Sequence, residues 1–183
     1  MRYAIEVVAQ GKAGQDRAAV FERPGAHVVV LADGAGGSGD GAVAAQAVIS
    51  AVYRGANLAK LELPGETTAV FMTVTPAGID GASVGDSGAW LVRATSISDL
   101  TEAQHRKPLL GAGAELIRFR SGPLGEATLL VASDGLLKYA HPADIARIAR
   151  GPDLAIAARE LVELVRLPTG GLQDDVAIIL CRD

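Results

Sequence analysis

Two largely apolar runs that each lead into an aspartate and a glycine constrain this chain more than any other feature. The first run covers 28–32 and precedes Asp33, and the second covers 128–133 and precedes Asp134. Runs of this length, rich in branched residues and stopped by glycine, are typical of buried strands. Each strand would therefore place a carboxylate where the hydrophobic core stops. A single Asp-Gly pair is usually an ordinary turn, and only its recurrence suggests chemistry.

The order of the predicted elements favours antiparallel sheets. Consecutive strands precede the first helix, without the strand-helix alternation of a parallel sheet, and tight turns connect several neighbours. Either Ser38 or Asp40 can cap the first helix, and a short helix is predicted near 136–139. The predicted strands cover 3–9, 17–22, 28–32, 67–75, 79–84, 89–93, 115–120, 128–133 and 176–180, and the longer predicted helices cover 41–54, 142–150 and 152–166.

Composition excludes several functional classes. The chain has 17 basic and 21 acidic residues and no block of lysine or arginine, so a nucleic-acid partner is not expected. Its single cysteine, Cys181, excludes an internal disulfide and suits a reducing compartment. No apolar stretch reaches membrane-spanning length, and the first residues lack the pattern of a signal peptide. We therefore expect one domain over 1–183, cytoplasmic and monomeric, without a membrane partner.

The acidic turns carry the chemistry when they are considered together. If the strand that follows Asp174 runs antiparallel to those that end at Asp33 and Asp134, the three carboxylates meet at one end of the fold. Neighbouring carboxylates repel one another unless cations lie between them. Oxygen ligands suit Mg²⁺ or Mn²⁺, and the three histidines lack the spacing of a zinc site. A pair of such ions could activate water and neutralise a phosphoryl group.

Several short motifs, in order, resemble those of the metal-dependent type 2C protein phosphatases, the PPM family. The motifs are Gly14-Gln15-Asp16, Ala32-Asp33-Gly34-Ala35-Gly36-Gly37, Val84-Gly85-Asp86-Ser87, Ala132-Ser133-Asp134-Gly135 and Asp174-Asp175. The resemblance spans nearly the whole chain. It implies an α+β fold, a four-layer αββα sandwich of two antiparallel β-sheets flanked by helices. It also implies a binuclear Mn²⁺ or Mg²⁺ centre at one end of a single catalytic domain.

The resemblance also implies roles for individual residues. Asp33 should bridge both metal ions, Asp134 and Asp174 should complete the protein ligands of the first ion, and the Gly34 carbonyl should bind the second. Asp16 resembles the family's N-terminal acidic position, which orders metal-bound water. In bacterial members, an aspartate in the place of Asp86 helps Asp134 to hold a third, weaker ion. Hydrogen bonding of turns is the alternative role for both Asp16 and Asp86.

Three positions depart from the family pattern. Eukaryotic members have histidine, a candidate general acid, where this chain has Ala35. Gln15 stands where an acidic residue is frequent. The arginine that commonly binds phosphate upstream of Asp16 is missing, which leaves Lys12 and Arg17 as weak candidates for phosphate binding.

The function that the resemblance implies is hydrolysis of phosphoserine or phosphothreonine in proteins, by direct attack of a water or hydroxide that bridges the two ions. Only residues 87–133 separate Asp86 from Asp134, so the chain resembles compact bacterial members that lack the flap. Two alternatives remain open from the sequence. One is a weak or inactive phosphatase fold that serves as a binding or regulatory module, and the other is a hydrolase of small phosphate esters.

Overall fold

The computed structural model describes residues 1–36 and 40–183. These residues form two main antiparallel sheets, a short two-stranded ladder, four α-helices and a 3-10 turn at Leu58–Lys60. The strands are β1 Arg2–Val8, β2 Arg17–Arg23, β3 Ala26–Ala32, β4 Gly34–Ala35, β5 Glu66–Thr67, β6 Ala69–Thr75, β7 Gly78–Val84, β8 Gly88–Val92, β9 Ile97–Asp99, β10 Ile117–Ser121, β11 Thr128–Ala132 and β12 Val176–Arg182. The helices are α1 Asp40–Tyr53, α2 Asp134–Leu137, α3 Pro142–Ala149 and α4 Leu154–Leu164.

Each main sheet has five strands. The strand order is β1-β12-β11-β8-β9 in the first sheet and β10-β7-β6-β3-β2 in the second, while β4 pairs with β5. Every neighbouring pair is antiparallel. The antiparallel arrangement predicted from the sequence is therefore confirmed.

Alternation along the two central apolar strands explains the four layers. In β3, Val29 and Leu31 face the opposite sheet, whereas Val30 packs with the buried residues of α1. In β12, Ile179 lies between the sheets and Ile178 packs against α3 and α4. Strands buried on both faces read as continuous apolar runs, which is the signal seen in the sequence. The predicted αββα sandwich is confirmed, with α1 on one outer face and α3 and α4 on the other.

Local capping sets where the outer helices begin. His141 Nδ1 accepts the N–H of Ala143 at the start of α3 (3.2 Å), and Asp153 Oδ1 accepts the N–H of Ile156 at the start of α4 (2.9 Å). Asp40 is the first residue of α1, while Ser38, the other predicted cap, lies outside the described residues. Among the helices in the described ranges, none combines the length and apolar character needed to cross a membrane.

The topology brings the acidic turns to one end of the sandwich. The end of β11 pairs with the beginnings of both β8 and β12, so the turns before and after these strands are neighbours. In the second sheet, the end of β3 pairs with the beginning of β6, which in turn pairs with the end of β7. Asp33, Asp86, Asp134 and Asp174 follow or precede these strand ends, and all four therefore lie at the same rim.

Candidate metal centre

A cleft of about 420 Å³ opens at this rim. Its walls carry five aspartates, Asp33, Asp86, Asp134, Asp174 and Asp175, together with the backbone of 34–36. Asp16 is buried and lines an adjacent hollow of about 400 Å³ with Asp175. The candidate acids are thus brought together, five around one space and the sixth beside it.

The main chain of Asp33 is held by two threonines that sequence reasoning missed. The Asp33 N–H donates to Thr68 Oγ1 (3.1 Å), and the Asp33 carbonyl accepts from the Thr68 N–H (2.8 Å) and from Thr67 Oγ1 (2.8 Å). Thr68 Oγ1 also bonds the Ser87 hydroxyl (2.8 Å), next to Asp86. With its backbone groups committed to these partners, Asp33 is left with its side chain directed to the cleft. No local motif marks Thr67 and Thr68, because they meet Asp33 from more than thirty positions away.

Gly34 is required by the close approach of helix α1. A Cβ at this position would overlap the carbonyl of Gly41, in the first turn of α1. Gly34 also pairs with Thr67 in the β4–β5 ladder. Its backbone therefore lies at the cleft with no side chain to cover the carbonyl.

Ser133 fixes the position of Asp134 relative to β12. The Ser133 N–H donates to the Ala177 carbonyl (3.0 Å), and Ser133 Oγ accepts the Ala177 N–H (2.9 Å). These bonds extend the β11–β12 ladder by one residue. Asp134, the first residue of α2, is consequently held beside the turn that contains Asp174.

Gly135 allows this turn to approach α2, which yields a stability prediction. A Cβ on Gly135 would overlap the Asp175 carbonyl. Gly135→Ala is expected to lower the free energy of unfolding by about 1–3 kcal/mol, since backbone must move to make room. Urea denaturation of the two proteins measures the difference. Gly122→Ala is the matched control, because a Cβ there meets no atom within 4 Å; equal stability of the Gly135 variant and wild type would contradict the prediction.

Asp175 ties the loop before Asp16 to the final strand. Its Oδ1 accepts the N–H of Gln10 (2.7 Å) and its Oδ2 accepts the N–H of Gln15 (2.5 Å). Both oxygens of this carboxylate are thus used for turn hydrogen bonds. This arrangement carries Asp16 to a position beside Asp33.

Burial and mutual repulsion make it unfavourable for all the aspartates of the cluster to be ionised together. Burial, followed by the charges of Asp16 and Asp134, raises the pKa of Asp33 to about 9. Burial also raises the pKa of Asp16 to about 6, although the neighbouring Ser133 hydroxyl and Asp33 carboxyl act to lower it. The pKa of Asp134 is raised by burial and then by Asp86 and Asp174. Such a cluster is costly to ionise unless cations compensate it.

The donor set fits hard divalent cations. Carboxylate oxygens and a bare backbone carbonyl are ligands that Mg²⁺ and Mn²⁺ prefer. Within 1–36 and 40–183, no three Asp, Glu, His or Cys side chains are already arranged to hold one ion, since the acids line the walls of the cleft. The chemistry of the site therefore suits a divalent cation.

The two predicted phosphate-binding residues lie outside the cleft lining. The Arg17 guanidinium donates to the carbonyls of Gly14 (3.0 Å) and Asp16 (2.7 Å) and lines the adjacent hollow. Lys12 is exposed on the loop whose neighbouring residues line the cleft. Two cations not singled out from the sequence, Arg106 and Lys107, do line it.

Comparison with known proteins identifies the fold. No family model matches the sequence, and no curated protein does. Among solved structures, a bacterial serine phosphatase carrying a mutation has a TM-score of 0.86 at 22% identity, covering 99% of this chain and 97% of that one. The chain has the fold of the bacterial serine/threonine phosphatases. The resemblance to type 2C phosphatases is confirmed as a resemblance of fold.

Two further structures with this phosphatase fold bear on the cleft. The catalytic domain of the serine/threonine phosphatase PstP, in complex with two manganese ions, has a TM-score of 0.79 at 23% identity and covers 98% of this chain and 96% of its own. PppA, a key regulatory component of T6SS in Pseudomonas aeruginosa, has a TM-score of 0.76 at 20% identity, with coverage of 98% and 96%. Coverage this complete means that the phosphatase fold extends over the whole compared length.

Proposed function

We propose that the protein is a divalent-metal-dependent phosphatase that hydrolyses phosphoserine and phosphothreonine in proteins. The observation that carries the proposal is the cleft of aspartates at one end of a sandwich with the serine/threonine phosphatase fold. The two manganese ions bound to PstP support metal dependence. The role of PppA as a regulatory component supports a phosphoprotein substrate.

The proposed ligands are those that the cleft offers. Asp33 would bridge two Mn²⁺ or Mg²⁺ ions, with Asp134 and Asp174 on the first and the Gly34 carbonyl on the second, while Asp86 and Asp134 would hold a third, weaker ion. When bound, such ions lower the pKa of water and neutralise negative charge on a phosphoryl group.

Asp16 has a different proposed role, because it is buried and does not line the cleft. Its carboxyl group neighbours that of Asp33 and raises the pKa of Asp33, and the Ser133 hydroxyl lies near it as well. Asp16 would therefore hold a proton or accept a hydrogen bond from water behind Asp33. It would keep Asp33 in position and would not contact the phosphoryl group itself.

Direct hydrolysis by water is favoured over a covalent phosphoenzyme. Ser87 is buried, and its hydroxyl is bonded to Thr68. Cys181 is buried in β12 at the end distant from Asp174, and burial raises the pKa of its thiol to about 12. Neither side chain is thus a competent nucleophile for a group in the cleft.

Removal of divalent metal is expected to abolish the activity. Wild type with Mn²⁺ should release phosphate from both an aryl phosphate and a phosphothreonine peptide, because the short separation of Asp86 from Asp134, residues 87–133, leaves little room for a flap. Chelation should lower both rates by about 100-fold or more, and added Mn²⁺ should restore them, since several kcal/mol of transition-state stabilisation would be lost with the ions.

Each alternative function has its own outcome in that assay. Hydrolysis of the aryl phosphate without the peptide would favour a hydrolase of small phosphate esters. Binding of the phosphopeptide without release of phosphate would favour a regulatory binding module. Turnover that survives complete chelation would contradict the proposed function.

A further inference from the structure

Two basic side chains on the wall of the acidic cleft have no ion-pair partner in the described part of the chain. Arg106 and Lys107 are exposed and line the same space as the five aspartates. Among the described residues, neither side chain forms a salt bridge or a hydrogen bond, although Asp86 lies on the same wall. Because neither cation has a partner within 1–36 and 40–183, both charges are available to an anion that enters the cleft.

These cations belong to residues 104–110, a segment that we call the strap, and its first end is fixed beside Asp86. The Gln104 side-chain amide donates to the Ser87 carbonyl (2.6 Å), and the His105 carbonyl accepts the Gly85 N–H (2.9 Å). Gly85 and Ser87 are the residues immediately before and after Asp86. Arg106 therefore begins from a backbone position anchored on both sides of that aspartate.

The second end of the strap is fixed beside the turn that follows Asp33. Leu110 and Thr67 exchange both backbone hydrogen bonds (3.1 Å each), and Leu109 and Leu110 are buried. Thr67 in turn pairs with Gly34. The strap thus spans the rim from one acidic turn to the other, with its two cations between the anchors.

We propose that Arg106 is the phosphate-binding side chain of this site, assisted by Lys107. The inference rests on the proposed function and adds to it the group that holds the phosphoryl oxygens. A guanidinium offers a planar fork that binds two oxygens of a phosphate, while a lysine supplies a single point charge. Beyond the charge that bound metal ions would supply, these two cations add positive charge at the mouth of the cleft, which favours the approach of a phosphate dianion.

The other arginine considered for this task is less suited to it. The Arg17 guanidinium donates hydrogen bonds to two backbone carbonyls, and Arg17 lines a different hollow. Arg106, by contrast, lines the acidic cleft and also an adjoining hollow of about 260 Å³ that contains Trp90 and Glu102. Arg106 could therefore contact either the phosphate or the peptide chain next to it, and the experiment must separate these two contacts.

The test compares three phosphate ligands in Arg106→Ala and Arg106→Lys. For the alanine variant, KM for an aryl phosphate, KM for a phosphothreonine peptide and the inhibition constant of inorganic phosphate should all rise by about 10- to 100-fold, as expected for loss of charge-assisted hydrogen bonds. Lysine should recover part of the loss. Lys107→Ala should give a smaller rise. Arg147→Ala, which removes an exposed arginine on α3 outside the cleft, is the matched control and should change none of the three.

Other outcomes overturn the assignment. A rise in KM for the peptide alone would mean that Arg106 contacts the peptide chain. Unchanged values in Arg106→Ala, or a large effect in Lys12→Ala instead, would place the phosphate-binding group elsewhere. Calorimetric titration of inorganic phosphate into the Mg²⁺-loaded proteins provides a readout independent of turnover. If wild type hydrolyses neither substrate yet binds phosphate through Arg106, the proposed function fails and the phosphate site stands.

Discussion

Asp134→Asn is expected to lower Mn²⁺-dependent phosphate release by about 10³-fold or more. The amide has the volume of the carboxylate, but it replaces a charged oxygen ligand by a group that cannot neutralise a divalent ion, at a cost of several kcal/mol in transition-state stabilisation. The fold should persist, because Asp134 is positioned through Ser133 and through its own carbonyl, which accepts the Lys138 N–H (2.9 Å). Steady-state assays of both proteins with an aryl phosphate measure the loss.

The matched control for this substitution is Asp80→Asn. This variant also replaces an aspartate by asparagine, but outside the cleft. The Asp80 carboxylate pairs with Arg118 (2.9 Å) and Arg120 (2.8 Å) near the opposite end of β7. The Asp80 variant should keep the wild-type rate. Titration with Mn²⁺ separates weaker metal binding from slower turnover at saturation. Wild-type turnover in Asp134→Asn would remove this carboxylate from the proposed metal centre.

The sequence predicted the site residues that lie at the ends of apolar strands, because the strand fixes where such a residue lies and what surrounds it. Residues 28–32 and 176–180 read as apolar runs because alternate side chains in each strand face the sheet interface and the outer helices. Two faces to bury leave no polar position, so the run must end where the core ends. That end is where Asp33 lies, and antiparallel pairing of β12 with β11 places Asp174 near Asp134.

The residues that hold the site in place could not be predicted in this way. Thr67 and Thr68 clamp Asp33, and the strap reaches Gly85 and Ser87, only because distant segments meet in the fold. Polar segments outside regular strands have no hydrophobic periodicity from which such contacts could be predicted. Arg106 could not be predicted as a site residue for the same reason. Its position in the cleft depends on the fold and not on its neighbours in the sequence.

Asp33→Asn is expected to stabilise the metal-free protein at neutral and alkaline pH. The folded-state pKa of Asp33 is about 9, above its ordinary value of 3.8, so folding favours the protonated carboxyl. The stability associated with this proton is complete below about pH 4 and is lost as the pH rises toward 9. With chelator at pH 8, the variant should exceed wild type by about 2 kcal/mol or more, or about 4–8 °C in Tm. Thermal unfolding from pH 4 to 9 measures this difference.

Saturating divalent metal should reverse the order of the two proteins. An ion that binds the folded wild type adds stability in proportion to its occupancy, and Asp33→Asn would lose most of this gain because the proposed bridging ligand is absent. Asp80→Asn provides a control of opposite sign. Arg118 lowers the pKa of Asp80, so that substitution removes stability above about pH 4 instead of adding it. If Asp33→Asn were the less stable protein at pH 8 without metal, the charge of Asp33 would not be a burden on the fold, and the main reason for placing a cation beside it would fail.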